Sequence, residues 1–289
     1  MPNLKDLKNR IESVKSTRKI TKAMQMVAAA KLRRAQESAE AGRPYAERMS
    51  AVVNKLAGGM ELNEGSPQLL TGRANPKTYL LIVATSERGL CGGFNSSIVK
   101  LAKSKIANLI KNGDEVQIYT VGKKGREQLS REFGSHFVGH FDLSEVKTLS
   151  YEIALRISKG VLSDFNSEKF DAALLFYSRF QSVLVQNPTE HRLIPASLDQ
   201  TDIVAGSYEY EPEKGEILED LLPRSIATQI FTALLENAAS EQGARMSAMD
   251  NATRNAGDMI EKLTIKYNRS RQAAITNELI EIISGAEAL

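Results

Sequence analysis

The chain contains no tryptophan and a single cysteine, Cys91, in 289 residues. One thiol cannot close an internal disulfide, so no covalent staple holds this fold, and the composition fits a reducing compartment. Histidine is nearly as scarce. His136, His140 and His191 have no metal-ligand spacing, and the first two flank an expected short strand. No apolar run approaches the roughly 18 residues that cross a bilayer, so membrane contact is expected only through a partner. The start, MPNLKDLKNRI, is charged and periodic, with no apolar core of a leader sequence.

What is present is an ordinary globular composition, 42% hydrophobic and 25% charged, with an uneven distribution of charge. Residues 1–56 carry 13 Lys/Arg against 5 Asp/Glu, residues 57–210 carry 17 against 17, and residues 211–289 carry 8 against 13. The net +3 therefore hides a basic beginning and an acidic end. That split suits two terminal segments lying against each other and disfavours a uniformly basic nucleic-acid binder.

Both ends carry heptads. In the first segment Leu4, Ile11, Arg18, Gln25, Leu32, Ala39, Ala46 and Val53 recur at one position, and Leu7, Val14, Thr21, Ala28, Ala35, Gly42, Met49 and Leu56 at its companion. Only Arg18, Thr21 and Gln25 are polar. Such a seam predicts one long coiled-coil helix of about 80 Å, kinked near Gly42 to Pro44 and ended by Gly58 and Gly59. The last segment repeats the pattern through Leu221, Arg224, Thr228, Phe231, Leu235, Ala238, Gln242, Arg245, Met249, Ala252, Ala256, Met259 and Leu263, all apolar but Arg224, Thr228, Gln242 and Arg245, then changes phase to Ile275, Leu279 and Ile282. Pro223 is placed in its first turn. Alanine in place of leucine gives up roughly 2 kcal/mol of burial per site but lets two helices approach closely as a slim rod. An antiparallel pair is expected, because the intervening segment returns the chain.

That segment alternates strand and helix. Strands are expected at Tyr79 to Thr85, Val116 to Val121, Ala172 to Tyr177 and Val183 to Gln186, with Arg192 to Pro195 completing the set. Helices are expected at Ser96 to Lys111, Lys124 to Phe133 and Ser150 to Phe165, and residues 60–76 read as the entry loop. The fold class is α/β: a long antiparallel coiled coil of the two terminal helices plus a Rossmann-like open sheet. The divisions are residues 1–59, 60–209 and 210–289.

Few motifs suggest chemistry. The turn SERGLCGGFN, Ser86 to Asn95, sits where a Rossmann fold binds phosphate, but Gly89, Gly92 and Gly93 match neither nucleotide-binding spacing. It reads as a structural or subunit-contacting turn. Cys91 has no histidine placed beside it by any signature and reads as a small structural residue. The acidic run Glu209 to Asp220 reads as a solvated loop and helix start. The basic stretch Lys15 to Lys22 lacks the interleaved aromatics of a nucleic-acid site. A dehydrogenase with helical extensions and a coiled-coil scaffold that bridges DNA are the rival readings.

Three blocks carry a family resemblance: Arg10 to Ala35 (RIESVKSTRKITKAMQMVAAAKLRRA), Ser86 to Asn95, and Ser240 to Leu279 (SEQGARMSAMDNATRNAGDMIEKLTIKYNRSRQAAITNEL). They resemble the γ subunits of bacterial F-type rotary ATP synthases, and the resemblance spans the chain. It implies a central-stalk rotor without a catalytic site, cofactor or metal, which passes the rotation of a membrane c-ring to three catalytic β subunits and so drives ATP synthesis and governs proton flow. The implied partners are three α and three β subunits, the ε subunit and the c-ring, with no nucleic acid. The implied location is peripheral, on the cytoplasmic face of the bacterial inner membrane. Torque contacts with β would fall on Met24, Arg271, Gln272, Thr276 and Glu278; contacts with the c-ring would fall on Arg43, Tyr210 and Glu211. No chloroplast-type cysteine-bearing insertion is present. The charge-free run Ala23 to Ala30 suits a surface that slides in a weakly bonding sleeve, and Ser225 to Leu235 has the same character at the other end of the shaft.

Overall fold

The computed structural model describes residues 3–58, 66–73, 75–196 and 210–287. Gly59, residues 60–65 and 74 of the expected entry loop, and Glu209 lie outside the described residues. The elements run α1 (Leu4–Gly58), α2 (Gln68–Thr71), β1 (Thr78–Ala84), α3 (Phe94–Asn112), β2 (Glu115–Val121), α4 (Lys123–Phe133), a 3-10 turn (Gly134–His136), β3 (Phe137–Phe141), α5 (Tyr151–Asn166), β4 (Ala172–Phe180), β5 (Gln186–Ile194) and α6 (Lys214–Glu287). The chain resolves into two compact units, Met1–Ala29 with Arg245–Leu289, and Ala30–Ala244.

In the second unit the sheet has the order β3-β2-β1-β4-β5. Strands β1 to β4 are mutually parallel, as short strand–helix–strand crossovers require, and β5 returns antiparallel to β4 through a hairpin. The period of two divides β1 between the two faces. Leu80, Ile82 and Ala84 pack with α5 residues Ile153, Ile157 and Val161 and with α6 residues Ile226, Ile230 and Leu234. Leu81 and Val83 pack on the other face with Ile98, Ala102 and Ile106 of α3, Leu129 of α4 and Ala244 of α6. A central parallel strand buried on both sides explains the unbroken apolar run there.

Three expectations change. The run Val183 to Gln186 is mostly hairpin turn rather than strand, with Leu184 81% exposed, because β5 starts only at Gln186 and takes in the polar sequence QNPTEHR. His140 lies within β3 instead of flanking it. Helix α6 begins at Lys214, so Pro223 is inside the helix, and much of the acidic run forms its first turns, with Leu218 fully buried against Val53 and Leu56 of α1. Pro44 also lies inside α1, and the helix continues past it.

The buried stripe of α1 follows the heptad closely. Leu7, Ile11, Ala28, Leu32, Ala39, Val53 and Leu56 are buried, the remaining described seam positions are half-buried, and only Arg18 is exposed. On α6 the seam shifts earlier than expected. Met259 is exposed and Ile260 takes its place, after which Leu263, Tyr267, Ser270 and Ala274 follow half-buried. The steps Ala252, Ala256, Ile260 place two intervals of four together, the stutter by which an α-helix corrects its drift from a strict heptad.

Candidate partner interface

In the first unit two of the three polar seam residues find partners across the helix pair. Thr21 Oγ1 lies 2.8 Å from Thr253 Oγ1, and Gln25 Nε2 donates to Asp250 Oδ1 at 2.9 Å. Arg254, one turn on, also bonds Asp250. Sliding the helices by one heptad would strand these groups among apolar seam residues, so the polar layer selects the register. The same pairs set levels along the rod. Seventeen residues back from Thr21 is Leu4, and seventeen on from Thr253 is Ser270, so α6 runs past the start of α1 for its remaining residues. There Ile275, Leu279, Ile280, Ile282 and Ile283 are 49–68% exposed. Ile20, Met26 and Val27 are also exposed on the outer side of α1. This is more apolar side chain than a lone helix keeps in water, and it marks a surface built to be enclosed.

Arg271, Gln272, Thr276 and Glu278 lie on that exposed stretch, with Thr276 Oγ1 bonded to the Gln272 carbonyl. Met24 is half-buried beside Gln25. From Asp250, level with Gln25, to Arg271 is about 30 Å along the helix, so the expected torque residues occupy two separate levels. The other expected set also divides. Tyr210 packs beside Val53, Leu56 and Ala57 of α1, with Lys214 Nζ 5.4 Å from its ring centre, and Glu211 is exposed. Arg43 lies about 15 Å back along α1 from Val53, and its Nη2 stands 3.4 Å from Glu236 Oε1.

The crevice that binds dinucleotides in open α/β folds is filled by the chain itself. The SERGLCGGFN turn is tied by its own side chains: Asn95 Oδ1 accepts from the Ser86 amide at 3.0 Å, Asn95 Nδ2 donates to Cys91 Sγ at 3.2 Å, and Ser86 Oγ donates to the Arg88 carbonyl at 2.7 Å. Glu87 takes the place of an anion at the start of α4, accepting from the Lys123 amide at 3.2 Å and from the Leu143 amide at 3.3 Å. Gly122, with φ +88°, passes so near β1 that an added Cβ would sit 2.3 Å from the Thr85 carbonyl oxygen. Beyond the end of β1, helix α6 closes the gap. Asn237 Oδ1 accepts from the Ser178 amide and Ser240 Oγ donates to the Ser178 carbonyl, both at 3.0 Å. Strand β1 pairs with β4 only as far as Phe176, and Pro188, opposite Ser178 on β5, has no N–H. The two α6 side chains thus satisfy strand groups that would otherwise be buried without partners. The side chains of the SERGLCGGFN turn and Glu87 occupy the place at which the dehydrogenase reading would put a dinucleotide phosphate.

Among the described residues no three His, Cys, Asp or Glu side chains gather as metal ligands. The histidines each have a local partner: His136 bonds the Val116 carbonyl, His140 the Thr120 hydroxyl and His191 the Gln229 amide. No described helix is long and apolar enough to cross a membrane. Glu236, Asn237, Ser240 and Asp250 were not singled out from the sequence. The signal was there, in a Glu-Asn pair and a serine breaking an otherwise apolar stretch, but it needs the strand ends to be legible.

An apolar overhang like that of α6 marks a subunit surface that partners cover. The comparisons identify the assembly. A family model described as ATP synthase matches residues 3–289. Over 289 residues the chain is 65% identical to the ATP synthase gamma chain of Cereibacter sphaeroides, covering all of both chains. It is 66% identical to that of Dinoroseobacter shibae over 290 residues and 64% identical to that of Paracoccus denitrificans, again covering all of each chain. The chain belongs to the ATP synthase family, as one of its γ chains. Among solved structures, a chain of the central stalk and c-ring of Tetrahymena thermophila mitochondrial ATP synthase is similar with a TM-score of 0.62 and 28% identity, covering 81% of this chain and 99% of that one. A chain from the Euglena gracilis enzyme with its F1 part and c-ring shares the fold at a TM-score of 0.67 and 21% identity, covering 99% and 94%.

Proposed function

We propose that this chain is the central-stalk rotor of a proton-translocating ATP synthase, carrying c-ring rotation to the three catalytic β subunits and so governing proton flow and ATP hydrolysis. It performs no bond chemistry of its own. The observation that carries this reading is the apolar overhang of α6 beyond the start of α1, on a chain whose whole length matches γ chains. An exposed single helix of that character is stable when a ring of subunits encloses it, and weak, largely uncharged contact lets it turn there. Three α and three β subunits supply that ring. Met24 lies at its lower level, and Arg271, Gln272, Thr276 and Glu278 lie at its upper level as polar catches against β.

Tyr210 and Glu211, beside the start of α6, face the c-ring, with Arg43 further along α1 and ε alongside. Residues 1–59 and 210–289 are then the shaft and residues 60–209 the body that anchors it. The chain sits peripherally on the cytoplasmic face of the bacterial inner membrane and touches it only through the ring. Native mass spectrometry of the complex that co-purifies with tagged chain from detergent-solubilised membranes tests this. One copy per three α and three β subunits with an attached c-ring is expected; a lone monomer or homodimer from the soluble fraction refutes it.

A further inference from the structure

Glu236 is a buried carboxylate at the meeting point of three elements. Its side chain is 6% exposed. One oxygen faces Arg43 of α1, and the other stands 3.9 Å from Nε of Arg179 near the end of β4, accepting no hydrogen bond among the described residues. On β4, burial and then the charge of Glu236 hold the Tyr177 hydroxyl above its ordinary pKa of 10.0. Beside it on α6, Leu235 Cδ1 lies 3.5 Å from where a Cβ on Gly42 of α1 would be. On its other side Asn237 begins the clamp on Ser178. Within about one turn, α6 is therefore fastened to α1 and to the sheet together.

An apolar residue of similar volume would serve stability at least as well as a buried ion pair, whose desolvation offsets much of its attraction. What a charge held between two cations adds is direction. Apolar contacts allow neighbouring elements to slip past each other with little penalty, whereas charged donors and acceptors lose energy when distance or angle changes.

We propose that Glu236 is a positioning residue that fixes the angular phase of the α1–α6 pair on the sheet, making it the junction through which torque passes between sheet and shaft. This rests on the rotor reading above. Arg43 and Arg179 are the two cations it works through, one for each neighbouring element.

The test uses the assembled complex with its β subunits immobilised and an optical probe attached at exposed Lys147 of the sheet unit. The readout is the angular spread of the probe while the motor is stalled. Glu236→Gln keeps the shape and removes the charge, and a junction of half the stiffness broadens the spread about 1.4-fold, since mean-square displacement varies inversely with stiffness. Arg179→Gln is expected to broaden it less, and the double variant no more than Glu236→Gln alone. A Glu236→Gln complex with the wild-type spread overturns the proposal, even where its thermal stability falls, because a merely structural role would move stability alone. If Glu236→Gln does not assemble, Arg179→Gln, at an exposed side chain, decides by the same readout: a broadened spread supports the junction and an unchanged one overturns it. Wild-type complexes whose probe never turns on addition of ATP would instead refute the rotor reading itself, and the junction with it.

Discussion

Replacing Asn237 by alanine removes the acceptor that the Ser178 amide uses, in a place where water has little access. Asn237 is 5% exposed and Ser178 2%. Strand β1 offers no substitute acceptor, since it pairs with β4 only to Phe176. Leaving one buried donor without a partner costs about 1–3 kcal/mol. Taking about 2 kcal/mol as the centre, and 1.4 kcal/mol per factor of ten, local opening around Ser178 should become about 30-fold more frequent. Hydrogen–deuterium exchange followed by mass spectrometry reads this directly in the peptide spanning the end of β4. The peptide across Ile82 in the sheet centre serves as the internal reference. Ser240→Ala should have a smaller effect, because a carbonyl oxygen tolerates a missing donor better than an amide tolerates a missing acceptor. If Asn237→Ala exchanged within threefold of wild type at Ser178, the argument that α6 completes the sheet would be refuted.

Gly122→Ala places a Cβ 2.3 Å from a strand carbonyl at a φ that alanine avoids, and should lower stability by about 2–3 kcal/mol, seen as a depressed unfolding midpoint. A midpoint unchanged from wild type would refute the close approach. Asp171 is held below its ordinary pKa of 3.8: burial pushes it up, but the amides of Thr78 and Lys77 and the Arg73 guanidinium outweigh that. Its stabilisation is therefore full above the unfolded pKa and lost as pH falls through the lower folded value. Asp171→Asn should flatten the acid limb of a thermal-stability profile, and an unchanged limb would refute the assignment. Arg271→Ala with Gln272→Ala should reduce rotational torque and ATP synthesis in the assembled complex while leaving the unfolding midpoint within about 0.5 kcal/mol of wild type, since both are exposed. Unchanged torque would remove these residues from the interface.

Much of the fold was legible because it obeys a period. The α1 stripe follows its heptad so closely that of the described seam positions only Arg18 is exposed, and the parallel strands announce themselves as short apolar runs between helices. Legibility failed where a second partner interrupted the period. The charge-free stretch Ser225 to Leu235 resembles a bearing surface in sequence, yet Ile226, Ile230 and Leu234 face the sheet core, so its lack of charge reflects burial on several sides at once. Strand β5 was hidden by its edge chemistry. Its residues include a proline and charges that guard a sheet edge rather than fill a core, while the apolar Val183 and Leu184 beside it belong to an exposed turn. At the candidate interface Arg271 and Gln272 are exposed. The ion pair of Arg43 with Glu236 is one that no local pattern could announce, because the two are 193 residues apart.

The sealing of the sheet by α6 also orders the birth of the molecule. Strand β4 leaves the ribosome roughly 50 residues ahead of the helix that completes it, a delay of several seconds at ordinary rates of translation. Until Asn237 and Ser240 arrive, the Ser178 amide and carbonyl have no partner from α6, and the face of Leu80 and Leu175 lacks Ile226, Ile230 and Leu234 as its cover. The first helix also waits for α6, since Val53 and Leu56 pack with Leu218 and Leu222. A nascent chain stopped anywhere before α6 therefore shows the cell two sticky surfaces together, and its last quarter turns an aggregation-prone intermediate into a subunit fit to be assembled.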